Sequence, residues 1–180
     1  MYELLLVAGI TVAVLVAALL IYASMKPNRF TVKRAATMQA TRDIVFPYVN
    51  DFHLWEMWSP WEKLDPAMQR THVGPASGVG AVYEWDGNSK AGAGRMEIIK
   101  SVEPKRVVIN LQFIRPFRSL NSVEFTFEAK DSATLVTWTM DGPCPFIMKI
   151  MHVFINMDAM IGKDFDKGLA SIKALAEAQK

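Results

Sequence analysis

The chain has 180 residues, a formal net charge of +2 and 51% hydrophobic residues, which suits one domain with its own core and excludes a disordered chain. The excess sits at the start: 21 of the first 25 positions are apolar, and the share in the rest is about 46%, ordinary for a globular domain. One such stretch excludes a polytopic membrane protein, a single cysteine excludes a disulfide-stapled miniprotein, and nearly balanced charge offers no basic face for nucleic acid.

Leu4 to Ala23 is a run of 20 residues without charge or proline. As a helix it reaches ~30 Å, the thickness of a bilayer's hydrocarbon core. Tyr2 and Tyr22 stand at its two ends, where amphipathic rings favour the interface. A cleaved signal peptide normally carries a basic start and a shorter apolar stretch, whereas this start carries Glu3 and no Lys or Arg. Residues 1–25 therefore read as an uncleaved anchor. Lys26, Arg29, Lys33 and Arg34 all follow the span, so the positive-inside bias places the body in the cytoplasm.

Residues 26–28 read as a linker and 29–180 as one domain, since no repeat or low-complexity tract divides them. Phe30 to Arg34 predicts a first strand. Thr41 predicts a helix cap with Asp43 in the first turn, and Pro47 keeps that helix short or broken. Asp51 predicts a second cap before Leu54 to Met57, which Ser59-Pro60 ends. Period-two alternation then predicts strands over 79–85, 94–102, 106–114, 121–129 and 133–140. Their inward faces carry Tyr83 and Trp85, then Met96, Ile98 and Val102, then Val107 to Phe113, then Val123 to Ala129, then Val136 to Met140. From Ile150 the period lengthens: Phe154, Met157, Ile161, Phe165, Ile172 and Leu175 predict an amphipathic helix, with Asp158 capping a restart. The class is α+β: an antiparallel sheet whose apolar face is covered by a long C-terminal helix.

Three stretches carry a family resemblance. The first is Asp51-Phe52-His53-Leu54-Trp55-Glu56-Met57-Trp58-Ser59-Pro60-Trp61, continuing into Leu64-Asp65-Pro66-Ala67-Met68. The second is Gly78-Val79-Gly80-Ala81-Val82-Tyr83-Glu84-Trp85, followed by Gly92-Ala93-Gly94-Arg95-Met96. The third is Gly162-Lys163-Asp164-Phe165-Asp166-Lys167-Gly168-Leu169. Over roughly residues 29–178 the chain resembles the START/Bet v1-like SRPBCC superfamily, in particular bacterial proteins of the polyketide cyclase/dehydrase type with one N-terminal membrane helix. The resemblance implies a helix-grip fold, a cavity for a hydrophobic small molecule or lipid, and residence in a bacterial inner membrane.

Trp55, Trp58 and Trp61 recur at three-residue spacing, which lines up rings on one helical face. Core packing is the default reading and a cavity wall the functional one. Tyr83, Trp85, Met96 and Trp138 look inward from strands, and Phe154 looks inward from the C-terminal helix. The polar tips of Tyr83, Trp85 and Trp138 each need a partner when buried, which a ligand group can supply. Gly78-x-Gly80 and Gly92-x-Gly94 open no helix and read as turns or bulges rather than phosphate loops. His53, His72 and His152 show no metal-like spacing, so no metal or cofactor is assigned. Cys144, between two prolines, reads as a free buried thiol. Asp65 reads as a turn cap. Glu97 alternates to the outer face and would enter a cavity only with a one-residue slip of register.

The leading functional expectation is a membrane-tethered binding domain for a hydrophobic small molecule or lipid. Its ligand set is Trp55, Trp58, Trp61, Tyr83, Trp85, Met96, Trp138 and Phe154. A cyclase or dehydratase acting on an aromatic or polyketide-like substrate is the alternative, and needs an acid and a base converging in the cavity. A protein-interaction module with a filled core is the third reading.

Overall fold

The computed structural model describes residues 1–179. The apolar run forms helix α1, Tyr2–Ser24. All its side chains are exposed except Leu19 and Ala23, near its C-terminal end. The helix is long and apolar enough to cross a membrane, which a membrane anchor and a signal sequence have in common.

The rest is one seven-stranded antiparallel sheet with helices on one side. The strands are β1 Arg29–Met38, β2 Gln69–Val73, β3 Val82–Asp86, β4 Ala93–Val102, β5 Arg106–Arg115, β6 Ser119–Lys130 and β7 Ala133–Pro143. Their order is β1-β7-β6-β5-β4-β3-β2, so the last strand pairs with the first. Between β1 and β2 lie α2 Arg42–Val45, α3 Pro47–Asn50 and α4 Trp55–Trp58, with 3-10 turns at Phe52–Leu54 and Pro60–Lys63. After β7 come α5 Phe146–Phe154 and α6 Met157–Glu177. This is the helix-grip arrangement, with α6 packed across β1 and α4.

Alternation works as expected where both strand neighbours are regular. In β6, Val123, Phe125 and Phe127 are buried, while Ser122, Glu124, Thr126 and Glu128 face out or lie half-covered. Three expectations for the sheet are corrected. Ala129, expected on the inward face, is exposed where β6 runs into its turn. Val79 is exposed and lies outside any strand, because Gly78 and Gly80 both take positive φ and turn the chain before β3 starts at Val82. Val102 is exposed because the ladder shifts register between Ile98 and Lys100, so the residues beyond change face. β2 was not expected at all. Its five residues, Gln-Arg-Thr-His-Val, contain one aliphatic side chain and sit on the sheet edge.

The helices hold two further corrections. Asp51 caps its turn, accepting from the His53 amide at 2.8 Å, but Thr41 makes no side-chain cap bond. The C-terminal helix is divided before Asp158, at Ile155 and Asn156. Asn156 caps α6 by accepting from the Ala159 amide at 3.0 Å, while Asp158 pairs with Arg34 of β1. Because α5 is a separate helix, Phe154 does not face the sheet–helix interior. It is 72% exposed.

The core lies between the sheet and the helices α2, α3, α4 and α6. It contains Phe46, Phe52, Trp55, Trp58, Tyr83, Met96, Phe125, Phe127, Trp138, Phe165 and Ile172, among others.

Candidate functional site

Trp138, on the inward face of β7, is the centre of the sheet–helix interior. Phe165 of α6 stacks on it at 3.9 Å between centroids, with the planes 7° apart. Phe125 lies beside it at 4.7 Å on the neighbouring strand. Trp58 and Trp61 meet it edge-on at 5.6 and 5.7 Å. Trp55 backs Trp58 at 4.6 Å. The helix can approach this closely because residue 168 is glycine: a Cβ there would lie 2.9 Å from the Trp138 ring and 3.3 Å from that of Trp58.

Four of the expected ligand residues, Trp55, Trp58, Trp61 and Trp138, therefore meet in one aromatic layer. Met96 is buried in the same core. Tyr83 and Trp85 stand toward the far edge of the sheet, their rings 6.1 Å apart. Phe154 is remote from the layer by topology, on α5.

The rings of the aromatic layer lie in direct contact with one another. Two depressions lie elsewhere, and both are open to the surface. One, about 450 Å³, is bordered by Gln69, Thr71, Trp85, Gly94 and Arg115. The other, about 310 Å³, is bordered by Gln112, Phe113, Arg118, Ser119 and Leu120. Neither is bordered by α4, α6 or β7.

Most polar tips in the interior have protein acceptors. Trp55 Nε1 donates to the Val49 carbonyl at 3.1 Å, and Trp58 Nε1 to that of Tyr48 at 2.7 Å. Trp85 Nε1 donates to the Ala91 carbonyl at 3.1 Å. Trp138 Nε1 is buried and meets no acceptor among the described residues, and His72 Nε2, Asn121 Oδ1 and His152 Nε2 are likewise buried without a partner.

Next to the layer lies a polar cluster that sequence reasoning missed. Glu62, on the 3-10 turn after Trp61, is buried. Its carboxylate accepts from the Tyr83 hydroxyl at 2.6 Å and from Arg70 Nε at 2.7 Å. Burial, and then the bond to Glu62, raise the Tyr83 hydroxyl far above its ordinary pKa, so it remains a donor. The cluster ties the turn that carries Trp61 to the edge strands β2 and β3. No signal in the sequence marks it, because Glu62 reads as a surface charge and Arg70 lies on the unforeseen strand.

The candidates for acid–base chemistry do not converge. Asp65 accepts from the amides of Ala67 and Asn88 and acts as a loop cap. Glu97 lies on the outer face, paired with Arg95 at 2.7 Å. The His72 ring stacks on that of His53 at 4.1 Å. Cys144 is buried, and the fold brings His152 Nδ1 to 3.5 Å from its sulfur. Burial pushes the thiol's pKa up, which disfavours a thiolate. Among the described residues, no three His, Cys, Asp or Glu side chains are grouped to hold a metal ion.

A model of the family described as polyketide cyclase / dehydrase and lipid transport matches residues 29–177. No curated protein sequence matches the chain. Solved structures do. A Chromobacterium violaceum protein aligns with a TM-score of 0.60 at 13% identity, covering 84% of this chain and 99% of that one. The di-domain ARO/CYC BexL of the BE-7585A biosynthetic pathway aligns with a TM-score of 0.61 at 14% identity, covering 87% of this chain and 52% of that one. Major latex-like protein 151 of Panax ginseng aligns with a TM-score of 0.57 at 13% identity, covering 83% and 99%. At these identities the likeness is one of fold: the Bet v1-like helix grip.

Proposed function

Since the chain belongs to the polyketide cyclase / dehydrase and lipid transport family, we propose that it is a membrane-tethered domain that binds a hydrophobic small molecule or lipid between its sheet and α6. The observation that carries this reading is Trp138. Its indole N–H is buried at the centre of the aromatic layer without an acceptor, and an unpaired buried donor costs ~1–3 kcal/mol. A ligand oxygen would satisfy it, while the surrounding rings would cover apolar carbon.

The packed layer is then the closed, unliganded arrangement. Uptake parts α6 from β7 and swings the Trp61 turn away, which strains the Glu62 cluster that pins it. α1 supplies the tether, as a single-pass span in a bacterial inner membrane. Arg34 does not bear on orientation, because it is engaged by Asp158 and Asp166. Lys26, Arg29 and Lys33 still flank the span on the body's side and support a cytoplasmic body; Arg29 and Lys33 are exposed and unpaired among the described residues.

Native mass spectrometry of the full chain released from detergent tests the binding. A hydrophobic adduct of one molecule per chain is expected. An unmodified mass alone would overturn the reading.

The filled interior favours a second reading, an interaction module that uses its outer surfaces. The enzyme reading finds no converging acid–base pair: Asp65 is buried as a loop cap, His72 stacks on His53 from the edge strand β2, and Glu97 pairs with Arg95 on the outer face of β4.

A further inference from the structure

α5 is amphipathic the wrong way round for a helix on a water-soluble surface. Ile147, Met151 and Phe154 recur at four and three residues, which places them on one face. That face looks outward: Ile147 is 66% and Phe154 72% exposed, and Met151 is also exposed. Phe146 and Ile155 extend the apolar surface. The polar residues turn inward. Lys149 is only 7% exposed, and His152 is half-buried against Cys144. Burial, aided by nearby Lys26, lowers the His152 pKa, so the inward imidazole is held neutral.

The position of α5 says what covers this face. α5 packs against α1, and the α1 residues that lose exposure are Leu19 and Ala23, at the end of the span. The start of α5 is also fixed to the linker: the Cys144 amide donates to the Asn28 carbonyl at 2.8 Å, and Arg29 pairs with Pro143. If Leu4 to Ala23 fills the hydrocarbon core, a helix touching Ala23 lies at its boundary. There, outward apolar side chains enter the acyl region and inward polar ones remain with the protein.

We infer that α5 is an interfacial helix that docks the domain onto the bilayer through Ile147, Met151 and Phe154, continuous with α1. This rests on α1 being the membrane span. It sets the domain's orientation, with β1 and β7 starting and ending at the lipid surface and the β6–β7 turn farthest from it. β7 has 11 residues, so that turn stands ~30 Å away if the strand is upright.

Single cysteines carrying an environment-sensitive fluorophore test the inference in the full chain, in vesicles of phosphatidylethanolamine and phosphatidylglycerol. Cys144→Ala is the background, and the labelled variants are Leu15→Cys, Ile147→Cys, Phe154→Cys and Lys130→Cys. Spin-labelled lipids serve as quenchers. Loss of fluorescence is expected at 147 and 154, strongest with the spin label near the headgroup. At 15 it is strongest with the label deep in the chain, and at 130 there is none. Quenching at 15 with none at 147 and 154 would overturn the docking while leaving the anchor standing. A blue shift at 154 without lipid quenching, joined by crosslinking between chains, would assign the face to a second copy and equally overturn it. No quenching at 15 would remove the anchor and the docking with it.

Discussion

Trp58 and Trp138 are neighbours of the same size and opposite polar circumstance. Trp58 donates to the Tyr48 carbonyl, and Trp138 donates to nothing. Replacing Trp58 by Phe removes ring volume and a buried hydrogen bond, so a loss of ~2–3 kcal/mol is expected in denaturant unfolding. Replacing Trp138 by Phe removes similar volume but relieves an unpaired donor, so its cost should be smaller by ~1–2 kcal/mol. An equal or larger cost at Trp138 would mean that the indole N–H is already satisfied in the free protein. The rings themselves were legible from sequence, since the three-residue spacing from Trp55 to Trp61 and the alternation about Trp138 both put them inside. Which tip goes unpaired was not legible, because it depends on carbonyls of α3 that no local pattern places.

At the scale of elements, the 3-10 turn Pro60–Lys63 is held down by Glu62. Glu62→Ala removes the acceptor of the buried Tyr83 hydroxyl and the closest one for Arg70 Nε, while Arg70 keeps the Met68 carbonyl and nearby Glu56. A destabilisation of ~2–3 kcal/mol is expected, less than for a fully buried pair because Arg70 is partly exposed. Tyr83→Phe should cost ~1 kcal/mol, and the double variant less than the sum of the two. Additive losses would show that the turn is held by other contacts. The elements were legible to different degrees for physical reasons. The long strands and α6 bury a continuous apolar face, and periodicity reports such faces. β2 buries almost none, being an edge strand of polar residues. The bulge near Ile99 is a backbone irregularity that inverts every side chain after it. The break between α5 and α6 was read too late, at Asp158, because α5 is as apolar as a core helix. That same composition put Phe154 among the interior residues, when its helix faces outward.

For the whole molecule, one composition serves two media. On the proposed reading the apolar surplus of α1 and the outward face of α5 belong to the lipid side, whereas the aromatics of β7, α4 and α6 make the protein's own interior. The first and third of these were legible in the sequence, as the apolar run Leu4 to Ala23 and the inward faces of the strands and α6. The second was not, because an inverted amphipathic helix has the same period as an ordinary one, and only the neighbours decide which face is out. On the same reading, the close ring packing of the interior makes ligand uptake a conformational event. The most direct measurement uses the full chain in vesicles containing a photoactivatable diazirine phospholipid, followed by peptide mapping of the adducts. A lipid held between sheet and helix predicts adducts on β7 and α6, at or beside Trp138 and Phe165, in addition to those on α1. Adducts confined to α1 and α5 would contradict it.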